Sequence, residues 1–387
     1  MDFPELQLSD EVVGIVETLE KAGFETWAVG GALRDRLLGL EHPDVDIATA
    51  ATPDHVLQLF KRTVPVGVEH GTVGVLGKSG RLYEVTTFRR DVRTDGRHAE
   101  VEFGVSLVDD LARRDFTINA LAYHPIRQEW QDPFDGRGDL KAGVVRAVGD
   151  PAARFREDYL RILRAIRFAA RFGFSIEAET WAAAVDAAPG LSGLSAERVR
   201  DEWFKGLRTA RSIPGLIRLW REVGAAGVWL PELETAWQYA DPEIRDPVVL
   251  TSVVVRNPAD VLLRLRASND EINRARAITR NPAAPGSQGG VGARRWLATV
   301  GSAADDLLLA ARYREGKDPS WAGEVAGVRA RGEATARSAL AITGDDLMAM
   351  GLAAGPALGA TLDRLLEAVI IDPGLNHKDK LLELARR

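Results

Sequence analysis

Residues 26–49 read TWAVGGALRDRLLGLEHPDVDIAT, and the rest of the chain is organised around them. Thr26 to Val29 reads as the end of a strand. The Gly30-Gly31 pair lets the backbone turn sharply into a helix with Leu33, Leu37 and Leu38 on its apolar side, closed at Gly39. From Asp44 to Thr49 acids alternate with aliphatics. Strand side chains repeat every two residues, so Asp44 and Asp46 share one face while Val45 and Ile47 take the other. Two carboxylates side by side repel one another unless a cation sits between them.

That arrangement suits two-metal phosphoryl transfer, in which divalent ions about 3.5–4 Å apart hold the attacking and leaving oxygens. The Gly30-Gly31 turn into a helix supplies amides and a positive dipole end for phosphate. Arg34, one turn further on, adds a guanidinium to the same phosphates. A D-x-D pair alone also occurs in ordinary surface strands and turns. The ordered combination of strand, Gly-Gly, helix, Arg-Asp and D-x-D strand is far more restrictive.

At 387 residues the chain is long enough for two or more domains. Hydrophobic content of 45% and charged content of 27% are those of an ordinary globular protein. No run is long and apolar enough for a membrane span, and the acidic start (Asp2, Glu5) does not read as a signal peptide, so a cytoplasmic protein without membrane contact is expected. The absence of cysteine excludes disulfides and thiolate metal sites, and the six histidines show no zinc spacing. A net charge of −6 counts against a nucleic-acid partner for the chain as a whole. One segment departs from it: Arg154 to Arg171 carries six arginines against Glu157 and Asp158.

Along the chain, residues 9–23 form an amphipathic helix, and Thr52-Pro53-Asp54 opens another that runs to Phe60. Strands over 71–76 and 81–88 make a hairpin through Lys78-Ser79-Gly80. Glu84 on the second strand is either a third acid facing the metals or a polar residue on the solvent face. Residues 89–100 (RRDVRTDGRHAE) read as a charged loop, either a flap over the nucleotide or a solvated hairpin tip. Leu111 to Ala120 reads as helical. Within it Arg114 could reach a triphosphate or ribose, and Asp115 with Asn119 could bond a 2′-hydroxyl or brace the site. An ion pair without a catalytic role would look alike. Asp132 to Leu140 has turn composition.

Arg154 to Phe172 reads as a helix with a buried stripe of Tyr159, Ile162, Leu163, Ile166 and Ala170, and with Asp158, Arg161 and Arg164 along another face. Asp158 and Arg161 are then neighbours one turn apart. Cytosine and adenine each present an exocyclic amine beside a ring-nitrogen acceptor, whereas uracil and guanine present a carbonyl and a ring N–H. A fixed carboxylate with a fixed guanidinium would therefore accept CTP and ATP and refuse UTP and GTP. From Leu194 onward the chain reads as helical. Ser195 caps a helix containing Arg198 and Glu202, a break falls at 281–292, and Gly351, Gly355-Pro356 and Gly359 lie between helices near the C-terminus.

The ordered set GGALRD, DVDIAT, RRDFTINALA, DPFDGRGDL, EDYLRILRAIRF and LSAERVRDE resembles the bacterial (class II) tRNA nucleotidyltransferase and poly(A) polymerase family, and the C-terminal segment from AITGDDLMAM onward is similar to the tail of its CCA-adding members. The resemblance implies an α+β protein: a polymerase β-like nucleotidyltransferase head with a mixed sheet (1–150), then an all-helical neck (151–212), body (213–335) and tail (336–387). It also implies Mg²⁺-dependent addition of C, C and A to tRNA from CTP and ATP, with the tRNA 3′ end in the active site and its elbow on the tail. By the same resemblance Asp44 and Asp46 are catalytic and hold the metals, Gly31 and Arg34 the triphosphate, and Arg114 the nucleotide. Asp158 and Arg161 read the base, supported by Arg164 and Arg167. Gly30, Glu84, Asp115 and Asn119 are candidates for supporting roles. A CC-only or A-only enzyme, a poly(A) polymerase and a catalytically silent RNA-binding relative are the alternatives, and oligomeric state is not readable.

Overall fold

The computed structural model describes residues 5–40, 44–94, 99–233 and 243–386, and the side chains of 91–101 are not described. The chain divides into two compact units, residues 1–231 and 232–387. The expected division at 150, 212 and 335 is finer than this.

The first unit holds a seven-stranded mixed sheet in the order β3-β4-β5-β2-β1-β8-β9. Its strands are β1 (Thr26–Val29), β2 (Asp46–Thr49), β3 (Thr63–Gly67), β4 (Thr72–Leu76), β5 (Leu82–Thr87), β8 (Ala122–His124) and β9 (Glu129–Gln131). Between them, β6 (Arg89–Thr94) and β7 (Ala99–Phe103) pair antiparallel as a separate ribbon. The segment read as a loop is therefore largely a hairpin, and residues 95–98 at its tip lie outside the described residues. Among the described residues of the large sheet, only β2 and β5 pair parallel; the other pairs are antiparallel.

Helices α1 (Asp10–Lys21) and α3 (Pro53–Leu59) pack on one face of the sheet. Val12, Ile15 and Leu19 of α1 meet Ala28, Ile47, Val73, Tyr83 and Val85 there. Both helices start where the sequence marks them, with Ser9 accepting from Val12 N–H and Thr52 from His55 N–H. On the other face, Trp27, Val29 and Ala48 are covered by Leu107 and Leu111 of α4 (Leu107–Ala112). Toward β5 that second face carries exposed Asp46 and Glu84.

Between β1 and β2 the chain forms α2 (Gly31–Leu37), with Gly39 in the left-handed region just past its end. Leu111 to Ala120 is not one helix. α4 ends at Ala112, Phe116 bridges to Ala147 in extended conformation, and a single 3₁₀ turn spans Thr117–Asn119. The second half of the expected turn at 132–140 is α5 (Gly136–Ala142), whose aspartate Asp139 accepts from Thr117 Oγ1 and Arg146 Nε.

The expected helix over 154–172 is two, α6 (Pro151–Glu157) and α7 (Leu160–Phe172), broken at Asp158, where φ is −154° and ψ 104°. Of its expected stripe, Ile162, Leu163 and Ile166 are buried while Tyr159 and Ala170 are only partly so. The unit continues through α8 (Ala178–Ala187), α9 (Ala196–Thr209), α10 (Ile213–Glu222) and α11 (Ala225–Trp229). This region is not purely helical, because β10 (Val144–Val145) pairs in parallel with β11 (Ser175–Ile176). Ser195 precedes α9 as expected, but its side chain makes no capping bond.

The second unit is helical: α12 (Pro247–Val254), α13 (Pro258–Arg264), α14 (Asn269–Arg280), α15 (Gly289–Val300), α16 (Ala304–Glu315), α17 (Ala322–Ala330), α18 (Gly344–Ala349), α19 (Pro356–Ile371) and α20 (Lys378–Ala385). The expected break at 281–292 ends earlier, since Gly289 to Gly292 form the first turn of α15, and Gly359 lies inside α19 rather than between helices. Leu347, Leu365, Val369 and Leu381 form a small core joining α18, α19 and α20. No helix among the described residues is long and apolar enough to cross a membrane.

Candidate active site

The antiparallel register sets Val29 opposite Asp46, so the turn leaving β1 lies beside the first residue of β2. Gly30 occupies that turn at φ +83°, a conformation that disfavours any side chain. A Cβ placed there would lie 2.9 Å from Arg114 Nη1 and 3.4 Å from Asp46 Oδ2. Gly30 thus lets a guanidinium and a carboxylate both close on one point of the backbone. Asp44 precedes β2 rather than lying within it, because the strand begins at Asp46. The alternation nevertheless holds: Asp44 and Asp46 are exposed and Val45 and Ile47 are buried.

Ile47 pairs with Val85 in parallel register, and Asp46 and Glu84 each stand one residue earlier on adjacent strands. Both line a cleft of about 540 Å³. Glu84 therefore faces the cleft beside Asp46, although it sits on an exposed surface. No group of three or more histidine, cysteine, aspartate or glutamate side chains arranged to hold a metal occurs among the described residues. A donor set of one or two carboxylates is what Mg²⁺ uses when substrate phosphates and water complete its shell, so the acids present fit that ion.

Arg34 lines the same cleft but is not a loose side chain reaching for phosphate. It is buried, and its Nε and Nη2 donate to Asp35 Oδ1 at 2.8 and 2.7 Å while Nη1 donates to Asn119 Oδ1. Its guanidinium is 4.8 Å from the ring centres of both Phe168 and Phe172. Burial lowers its pKa despite the Asp35 charge; an arginine so placed remains charged. Because α2 has only seven residues, the attraction for phosphate rests on the guanidiniums more than on its dipole.

Asp115 and Asn119 brace the site. Asn119 Nδ2 donates to Asp115 Oδ1 at 2.8 Å, Phe116 N–H to the same oxygen at 2.9 Å, and Arg164 Nε to Oδ2 at 2.7 Å. Burial alone would raise the Asp115 pKa, but the Arg164 charge and these bonds hold it down to about 2. The Asp115 charge in turn raises the Arg164 pKa. Glu202 of α9 accepts from Arg167 Nε at 2.5 Å and lies 3.9 Å from Arg164 Nη1. Burial lowers the Arg167 pKa even with Glu202 beside it.

Arg114 lies just beyond the end of α4, where Nη2 donates to Asp110 Oδ2 at 3.2 Å and Nη1 to the Asn119 carbonyl at 3.3 Å. Its Nε is buried with no hydrogen-bond partner among the described residues. An unsatisfied buried donor on a cleft wall is costly unless a ligand accepts from it.

Asp158 and Arg161 both line the cleft; Asp158 stands outside α7, yet the Arg161 backbone N–H still donates to its carbonyl at 3.1 Å, one turn away. Asp158 occupies the break between α6 and α7, where Oδ1 accepts from Leu160 N–H at 3.0 Å and Oδ2 from Arg198 Nη2 at 2.7 Å. Arg161 Nη1 donates to Glu157 Oε2 at 2.7 Å and to the Arg154 carbonyl at 3.2 Å, and Nη2 to the Arg113 carbonyl at 3.1 Å. The two side chains are thus held separately, each from outside the pair.

The cleft also gathers Gly31, Arg164 and Arg167, as expected, together with Arg89, Asp110, Arg113 and Arg171, which the sequence reading passed over. Asp44 and Gly30 are not on its lining. Arg171 was recoverable, because it continues the arginine spacing of α7 by one more turn; it donates to Asp35 Oδ2 at 2.9 Å. Among the described residues, eight arginines and five acids line the cleft.

Residues 26–146 match the family model described as the Poly A polymerase head domain, and residues 173–236 match the probable RNA and SrmB-binding site of polymerase A. The CCA-adding enzyme of Lactiplantibacillus plantarum is 37% identical, with the alignment covering 96% of this chain and 94% of the relative. That of Leuconostoc mesenteroides subsp. mesenteroides is also 37% identical, over 96% and 94%. The crystal structure of the Bacillus stearothermophilus CCA-adding enzyme in complex with CTP superposes with a TM-score of 0.85 at 32% identity, covering 97% of this chain and 96% of the other.

Proposed function

The chain belongs to the family of CCA-adding tRNA nucleotidyltransferases, and from that membership we propose that it adds C, C and A to the 3′ end of tRNA from CTP and ATP without a template, in the cleft bounded by Asp46, Arg34 and Asp158. The observation that carries the reading is the convergence of three chemistries on one cleft: carboxylates beside the Gly30 turn, a wall of guanidiniums, and a separately fixed carboxylate and guanidinium.

Asp44 and Asp46 are the residues that would hold Mg²⁺, with Glu84 beside Asp46; bound there, the ion supplies neutralisation of phosphate charge and eases ionisation of the attacking hydroxyl. The chain's own side chains do the rest. Arg34, Arg114 and Arg171 hold the triphosphate so that the tRNA 3′-oxygen meets the α-phosphorus in line as the bond to pyrophosphate breaks. Arg34 is pre-oriented by Asp35 and Asn119, and Arg164 by Asp115, so little side-chain freedom is lost when the nucleotide arrives.

Base selection follows from a count of donors and acceptors. Of the five N–H groups of Arg161, Nε–H and one Nη2 hydrogen remain for a ring nitrogen and a neighbouring acceptor. Each Asp158 oxygen has taken one hydrogen bond and keeps a lone pair for an exocyclic amine. A base presenting a carbonyl to Asp158 leaves both groups unpaired, which supports rejection of UTP and GTP by roughly 10⁴-fold. On the same reading, residues 1–150, 151–212, 213–335 and 336–387 act as catalytic head, base-reading neck, body and tRNA-binding tail of a cytoplasmic enzyme.

The test is incorporation of each labelled nucleotide, with Mg²⁺, into tRNAs lacking one, two or three terminal residues. Three ordered additions ending at A are expected. A ladder stopping at CC, addition of A alone, or a long A tract would identify a partial enzyme or a poly(A) polymerase instead.

A further inference from the structure

α9 lies along α7 and presents two charges one turn apart, Arg198 and Glu202. They meet complementary groups on the cleft wall: Arg198 takes Asp158, and Glu202 takes Arg167 and lies near Arg164. Arg198 itself is not on the cleft lining. We propose that Arg198 is a positioning residue for nucleotide selection, holding the Asp158 carboxylate so that it offers an acceptor, and nothing else, to the incoming base.

The reason lies in where Asp158 stands. At the break between α6 and α7 it belongs to neither helix, and its backbone angles are extended rather than helical. A side chain in mid-helix has its rotamers restricted by the preceding turn; one at a break has more freedom. The Leu160 N–H fixes one oxygen but leaves the carboxylate able to pivot about that bond. The Arg198 bond to the other oxygen removes the pivot. Selection against uracil and guanine depends on that fixity. A carboxylate locked toward a carbonyl suffers an unpaired, repulsive contact, whereas one free to swing aside avoids it and admits the wrong base. Arg198 therefore acts on discrimination more than on the rate with the correct nucleotide.

This inference rests on the base-reading role of Asp158 proposed above, and the experiment separates the two. kcat/KM is measured for CTP, UTP, ATP and GTP on truncated tRNA with the full chain, in the wild type, Arg198→Ala, Arg198→Lys, Asp158→Ala and the double variant Asp158→Ala/Arg198→Ala. Arg198→Ala is expected to lower the CTP/UTP and ATP/GTP ratios by about 10- to 100-fold, the range that loss of one partly buried charged hydrogen bond gives, with a smaller change for CTP and ATP themselves. Arg198→Lys, which keeps a cation on a long stem, is expected to recover most of the lost ratio. The double variant is expected to match Asp158→Ala.

Wild-type ratios in Arg198→Ala, or equal losses with all four nucleotides, would overturn the proposal. So would a lysine variant as indiscriminate as alanine, or a double variant that falls well below Asp158→Ala. Wild-type ratios in Asp158→Ala would instead remove the base-reading assignment itself.

Discussion

Replacing Asp115 by asparagine keeps its shape and removes its charge, which makes it a direct probe of the network behind the cleft. In the folded protein the carboxyl sits at about 2 rather than the ordinary 3.8, because Arg164 and two N–H donors outweigh the cost of burial. That displacement corresponds to about 2 kcal/mol of folding free energy at neutral pH. The folded pKa lies below the unfolded one, so the contribution is fully present above 3.8 and is lost as pH falls through about 2. Asp115→Asn is therefore expected to be about 2 kcal/mol less stable at pH 7, which lowers the melting temperature of a unit this size by about 4–8 °C. Urea unfolding followed by tryptophan fluorescence at pH 7, 5, 4 and 3 measures the gap, which is constant from pH 7 to 5 and narrows as pH falls from about 4 toward 2. The variant also leaves Arg164 and Asn119 misdirected, so incorporation of both CTP and ATP falls, by up to about 100-fold if the guanidinium moves by 1 Å. A variant within 0.5 kcal/mol of wild type at pH 7, by roughly the margin expected of a surface change, would refute the reasoning.

Gly30→Ala puts a methyl group at φ +83° and 2.9 Å from Arg114 Nη1, so it is expected to cost about 1–3 kcal/mol and to raise KM for CTP and ATP together; an unchanged KM would show that Arg114 does not contact the nucleotide. Glu202→Ala strips Arg167 of its buried partner and is expected to cost about 3–5 kcal/mol in denaturant unfolding, and a loss below 1 kcal/mol, roughly that of an exposed pair, would contradict the burial seen here. Chelation is expected to halt nucleotide incorporation and added Mg²⁺ to restore it, while Asp46→Asn remains inactive at any Mg²⁺ concentration. Activity in Asp46→Asn near that of wild type would exclude the carboxylate as a ligand.

The turn at Gly30, the caps at Ser9 and Thr52 and the alternation through Asp46 are local chemistry, and local chemistry reads directly from sequence. β3 was invisible because Pro65 interrupts it; an edge strand tolerates a proline that an inner strand would not. The ribbon of β6 and β7 was hidden by the run of charges in β6 (RRDVRT), although AEVEF in β7 does alternate. Periodicity carried the reading straight through Asp158, although an aspartate accepting from an N–H two residues on is a common way to begin a helix. The partners of the site arginines were least legible of all. Arg171 and Asp35 are 136 residues apart and Asp158 and Arg198 are 40 apart, so only the folded chain decides which acid each guanidinium meets.

A chain of net charge −6 whose cleft holds more arginines than acids is, electrically, a lopsided body. The guanidiniums at the mouth of the cleft reward the approach of a polyanion that the net charge of the chain would by itself repel. Capture would then quicken in dilute salt and slow as salt rises, with chemistry inside the cleft changed far less. The same pull that gathers a triphosphate also detains the pyrophosphate left behind, which makes departure of the by-product a natural candidate for the slow step of each cycle.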